Sequence, residues 1–173
     1  MSHSVPSGPV LLWDIVRAGP GLLGRLPPRS RQAQGLIRER NIQRRLMNTD
    51  RKILVVDDEA AERDIIALEF KMNGFRVITS GGGRDAISQA SKERPDAIIL
   101  DLLMPGINGY DVLARLRKSD EFAKTAIIIR SGKAYKPDID KALQMGADAY
   151  VTKPGELEEL IRLTNEHIAK RAL

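Results

Sequence analysis

From Arg51 onward, apolar and polar positions alternate between two periods. Short runs rich in β-branched residues recur, and helical spacings fill the gaps between them. The runs predict strands over 52–56 (KILVV), 75–79 (FRVIT), 96–100 (DAIIL), 126–130 (AIIIR) and 148–152 (DAYVT). The gaps predict helices near 60–72, 84–93, 108–118, 137–145 and 155–170. In the first helix Ile65, Ile66, Leu68, Glu69 and Met72 fall at mixed helical spacings, and Asn73-Gly74 stops it. The third turns Tyr110, Val112, Leu113 and Leu116 inward, and the last presents Leu157, Leu160, Ile161, Leu163 and Ile168.

Runs this apolar are strands buried on both faces, which belong to a parallel sheet. Strands alternating with helices over short loops give an α/β fold, a (βα)5 three-layer sandwich with a parallel five-stranded sheet. The order known for folds with this alternation is 2-1-3-4-5, which makes strands one and three central neighbours. Ligands in such sheets bind beyond the carboxyl ends of the strands. Four of the runs end there on chemistry: Asp57 and Asp58, Asp101, Ser131-Gly132, and Lys153-Pro154.

Residues 1–50 look different. They are rich in Pro, Gly and Arg, and their eight arginines against three acids carry the whole net charge of +5. The remaining 20 basic and 20 acidic residues cancel. The expectation is an extension, 1–50, that is disordered or comes from an over-extended gene start with Met47 as the true first residue. A globular domain would cover 51–173. The arginine-rich composition also resembles an organellar transit peptide. Trp13 is the extension's one aromatic for stacking, so nucleic-acid binding is not expected of it. There is no cysteine, which excludes disulfides, thiolate metal sites and a cysteine nucleophile and fits a cytoplasmic protein. His3 and His167 lie near opposite ends, against a histidine zinc site or a Ser-His-Asp triad. No apolar stretch approaches the about 18 residues of a membrane span, so membrane insertion is not expected.

Any one of the aspartates reads as a helix or turn cap. Together, at neighbouring strand ends, they read differently. Two carboxylates about 4 Å apart repel by about 4 kcal/mol at an effective dielectric near about 20. Three such groups need a proton or a cation. An all-oxygen set with free coordination positions suits Mg2+, which keeps waters and accepts phosphate oxygens. Lys153 could neutralise a second phosphate oxygen, and the Ser131 hydroxyl with the N–H beside Gly132 a third. Each has a plainer reading, as a surface lysine and a turn serine.

The strings KILVVDDE, DLLMPGINGYDVL, SG and GADAYVTKP resemble the receiver domain of bacterial two-component response regulators over about residues 51–171. The resemblance implies a flavodoxin-like fold. It also implies that Asp101 is the phosphoacceptor, taking its phosphoryl group from a sensor histidine kinase or a histidine phosphotransfer protein. Mg2+ would be held by Asp57, Asp58, Asp101 and the backbone carbonyl of Leu103. Lys153 would pair with the phosphoryl group. Ser131 would swing toward it, and Tyr150 would turn inward. A downstream protein would then meet the changed face of the fourth helix, fifth strand and fifth helix. The Lys153–Pro154 bond would be cis. Leu103 and Lys133 would flank the attack path and tune hydrolysis.

Three positions depart from the family's pattern. Arg130 stands where an apolar residue is usual, beside the acids or turned to solvent. Gly155 replaces a common bulky aromatic, which suggests a looser last loop. Serine replaces the commoner threonine at 131. The chain's end soon after the fifth helix gives the expectation of a stand-alone receiver that is a signalling protein and not an enzyme. The other class is an unphosphorylated interaction module, against which the intact set of acids, hydroxyl and lysine argues. An aspartyl-phosphate phosphatase would want an acid where Leu103 stands. An FMN protein would want a hydroxyl and glycine cradle after the first strand. Oligomeric state is left open.

Overall fold

The runs fold as strands because their β-branched side chains pack on both faces of a pleated sheet. The computed structural model describes residues 50–172. Residues 1–49 of the predicted extension therefore lie outside the described residues. In chain order the elements are β1 (Lys52–Val56), α1 (Ala60–Met72), β2 (Arg76–Ser80), α2 (Gly83–Glu93), β3 (Ala97–Leu100) and α3 (Gly109–Arg117). A 3-10 turn (Asp120–Phe122) follows, then β4 (Ala126–Ser131), α4 (Lys136–Gln144), β5 (Ala149–Thr152) and α5 (Leu157–Arg171). The strands are parallel, in the expected order β2-β1-β3-β4-β5.

Alternation along each strand divides the core into two layers. Leu54, Val56, Ile98, Leu100, Ile127 and Ile129 face α2, α3 and α4 and meet Ala86, Val112, Leu113 and Ala142. Ile53, Val55, Ile99 and Ile128 face the opposite way, onto Ile66 and Phe70 of α1 and Leu160, Ile161 and Ile168 of α5. This is the three-layer sandwich expected.

The differences are local and have causes. Phe75 does not open β2. Its ring packs edge-on against Phe70 at 5.3 Å, and the strand begins one residue later. On α1 the buried face is Ile66, Ala67 and Phe70, whereas Ile65, Leu68 and Met72 are exposed. The mixed spacing concealed two apolar stripes, of which the sheet takes one. Helix α5 begins at Leu157 rather than 155. Gly155 is not in a loose loop: a Cβ there would lie 2.5 Å from the Thr152 carbonyl oxygen and 2.9 Å from Val151 Cγ1. Lys153–Pro154 is cis, as expected.

Candidate functional site

The site stands where the sheet's ladder runs one residue past the strands. Asp57 N–H donates to the Ser80 carbonyl at 3.2 Å, Asp101 N–H to Val56 at 2.9 Å, and Lys153 N–H to Ser131 at 2.9 Å. Backbone pairing between neighbouring strands thus fixes where these side chains begin. Asp57 and Asp101 are buried and Asp58 is exposed, and carboxylate oxygens of all three lie within 4.8 Å of one another. Each buried aspartate folds its own loop. Asp57 Oδ1 accepts from Glu59 N–H at 3.0 Å, and Asp101 Oδ1 accepts from Leu103 N–H at 3.1 Å. Asp57 therefore shapes the lead-in to α1 without capping the helix, whose N-cap residue is Glu59.

Lys153 supplies the counter-charge. Its Nζ donates to Asp57 Oδ2 at 2.6 Å and to Asp101 Oδ2 at 2.9 Å. Burial opposes its charge, but the two carboxylates outweigh burial and hold the ammonium above its ordinary pKa. The remaining acceptor capacity, all carboxylate oxygen, fits a small hard cation such as Mg2+. Asp57, Asp58 and Asp101 are the side chains that could hold one.

The last residue of β4, Ser131, is fully buried and its Oγ has no hydrogen-bond partner. A buried hydroxyl in that condition is rare and costly. On β5, Tyr150 packs against the α2–α3–α4 layer, and its hydroxyl donates to the Lys133 carbonyl at 2.6 Å. Burial pushes the Tyr150 phenol above its usual pKa; the Ser131 hydroxyl acts the other way, though its geometry satisfies no hydrogen bond. A groove of about 360 Å³ runs along Tyr150, Val151, Glu156, Glu159 and Leu163.

Close packing holds the loop after Asp101. Gly106 turns the chain with φ 77°, and Asn108 caps α3 by accepting from Asp111 N–H at 3.0 Å. Gly109 lets α3 press on that loop, since a Cβ at this position would overlap the Asp101 carbonyl oxygen. Leu103 itself is exposed at the rim.

Sequence reasoning missed four interactions. Arg63 Nη1 donates to the Asp57 carbonyl at 2.7 Å. Arg130 is neither beside the acids nor turned to solvent: it is buried and paired with Glu62 of α1 at 2.7 Å. Tyr110, expected simply to turn inward, donates to Asp138 Oδ1 at 3.1 Å, and Lys133 joins the same carboxylate at 2.9 Å. A lone arginine in an apolar run was the one available signal among these.

Comparison with known proteins agrees with the geometry. Residues 53–165 match the response regulator receiver domain family. "Probable transcriptional regulator ycf27" of Guillardia theta is 36% identical over 129 residues, 73% of this chain and 50% of that protein. "Probable transcriptional regulatory protein TcrX" of Mycobacterium tuberculosis is 35% identical over 109 residues, 63% of this chain and 46% of that one. The chain thus spans about half the length of the curated relatives it matches. The structure of the Francisella response regulator 1452 receiver domain superposes with a TM-score of 0.66 at 29% identity, covering 70% of this chain and 98% of that one. Among the described residues no helix is long and apolar enough to cross a membrane. With the expected strand order, the aspartate cluster and a family match across most of the folded part, the chain belongs to the response regulator receiver family.

Proposed function

We propose that this receiver accepts a phosphoryl group on Asp101 from a phosphohistidine of a sensor kinase or phosphotransfer protein. A carboxylate oxygen of Asp101 attacks phosphorus, a P–O bond forms, and the P–N bond to the donor imidazole breaks. Phosphoryl transfer of this kind needs alignment and charge neutralisation more than a protein base. Asp57, Asp58 and Asp101, with the Leu103 carbonyl, would hold Mg2+, which when bound neutralises phosphoryl oxygens. Lys153 moves from bridging two carboxylates to pairing with the phosphoryl group. The orphaned Ser131 hydroxyl then gains its acceptor.

The observation that carries this reading is the junction of Lys153 Nζ with both Asp57 and Asp101 at one sheet rim. It supports the reading because a bound dianion would rearrange that charge balance. The exposed stripe Ile65, Leu68 and Met72 on α1 runs away from that rim and suits the apolar face of a donor helix. Movement of Ser131 and of the Tyr150–Lys133 bond would pass the signal to the face of α4, β5 and α5. The relatives' transcriptional names describe longer proteins, and nucleic-acid binding is not part of this reading. Incubation with acetyl phosphate and Mg2+, read by intact mass, tests it. One added phosphoryl group is expected, and no addition to a folded protein contradicts it.

A further inference from the structure

We propose that Arg130, through its ion pair with Glu62, is a positioning residue for the Mg2+ site, an inference that rests on the function proposed above. Arg130 and Ser131 are consecutive on β4 and so face opposite sides of the sheet. Ser131 lies on the side of Ile127 and Ile129. Arg130 lies on the side of Ile128, toward α1 and α5. Its side chain is 7% exposed, and Nη1 reaches Glu62 Oε2 at 2.7 Å. Its buried Nε has no partner. Beside it in register is Val151, against which Gly155 presents no side chain.

The pair spans a distance that the backbone does not. Helix α1 packs on β1 and β2, and Glu62 in its first turn is tied by Arg130 to the end of β4. The next residue, Arg63, donates from Nη1 to the Asp57 carbonyl at 2.7 Å, and its N–H donates to the Glu59 carbonyl at 3.0 Å. The loop bearing Asp57 and Asp58 is thus braced by α1's first turn, and that turn is braced by β4. Groups behind the ligands commonly set metal affinity in this way.

A structural role alone accounts poorly for the arginine. A buried ion pair with an orphaned nitrogen adds little stability over an apolar side chain of similar size, and often subtracts from it. Arg130 lies at the top of an otherwise apolar layer, where methionine would pack. The pair therefore sets the site's geometry at a cost to stability.

The full chain with Arg130→Met, Glu62→Gln and both changes should be titrated with Mg2+ by calorimetry and melted without Mg2+. Arg130→Met is expected to melt at or above the parent's temperature and to bind Mg2+ roughly tenfold more weakly. Glu62→Gln should weaken binding in the same direction, and the double variant no further than the worse single one. Unchanged Mg2+ affinity in the single variants, or losses that add in the double, would overturn the proposal. If Arg130→Met does not fold, Glu62→Gln decides, because glutamine keeps an amide oxygen that can accept from the guanidinium. A parent that binds no Mg2+ would instead sink the functional reading. A parent that binds it equally with its variants sinks this inference alone.

Discussion

Lys153 and Asp101 are 52 positions apart, yet the ammonium and the carboxylate meet at 2.9 Å across the ends of β5 and β3. The lysine's second bond, to Asp57, makes it, among the described residues, the one cation held between the two buried aspartates of the cluster. Its removal leaves two like charges facing each other. Lys153→Met should destabilise the Mg2+-free protein by roughly 1–3 kcal/mol, with part of the loss recovered on adding Mg2+. Urea unfolding with and without the ion checks this.

The same contact fixes a pH dependence. The folded protein holds the Lys153 ammonium above its ordinary value of 10.5, through Asp57 and Asp101 and against the opposing effect of burial. A raised pKa favours the protonated form in the native state. Its stabilisation is therefore full below the unfolded value and is lost as pH rises through the folded one. Stability should fall in alkali above 10.5, and Lys153→Met should show less of that fall. Equal slopes in parent and variant would contradict the assignment.

Gly109 presses α3 against the Asp101 loop with no room for a side chain. Gly109→Ala should cost about 3 kcal/mol and reduce phosphoryl incorporation along with stability. Gly106→Ala meets no neighbour but is strained by its φ of 77°, and should cost about 1 kcal/mol with incorporation largely kept. Thermal melts and intact mass together separate the two effects.

Tyr150→Phe removes a single hydroxyl bond, that to the Lys133 carbonyl. The loss should be about 1 kcal/mol of stability, with phosphorylation intact and the phosphorylation-dependent chemical-shift changes on α4 and β5 reduced. Tyr110 gives a second handle. Burial, with the Asp138 hydrogen bond and charge, pushes its phenol up to about 12, and ultraviolet titration of Tyr110→Phe should lack that late step.

On α1, Leu68 is 59% exposed and supports no core packing. Leu68→Glu should change stability by less than about 0.5 kcal/mol and leave labelling by acetyl phosphate intact, while slowing transfer from a phosphohistidine protein. Equal loss with both donors would remove α1 as the docking surface.

Much of this was legible in sequence because the strongest constraints are local in pattern. KILVV and AIIL could pack only as central strands, and a parallel order then brought Asp57 and Asp101 together. The two stripes of α1 were not separable, because Ile65 and Ile66 are equally apolar and only packing against the sheet, with Ile66 and Phe70 inward, chooses between them. Phe75 read as a strand residue, and its packing on Phe70 is tertiary. The partners of Arg130 and Tyr110 lie 68 and 28 positions away, and no period encodes such pairs. Gly155 read as looseness because glycine is permissive; here it meets the Thr152 carbonyl, and the absent Cβ is what lets the loop close.

The central claim is that Asp101 carries the phosphoryl group. The most direct test labels the full chain with acetyl phosphate and Mg2+, reduces the acyl phosphate with borohydride, and maps the product by peptide mass spectrometry. The account predicts homoserine at position 101, dependent on Mg2+ and absent in Asp101→Ala. Reduction at another carboxylate, or none in a folded and labelled protein, would contradict it.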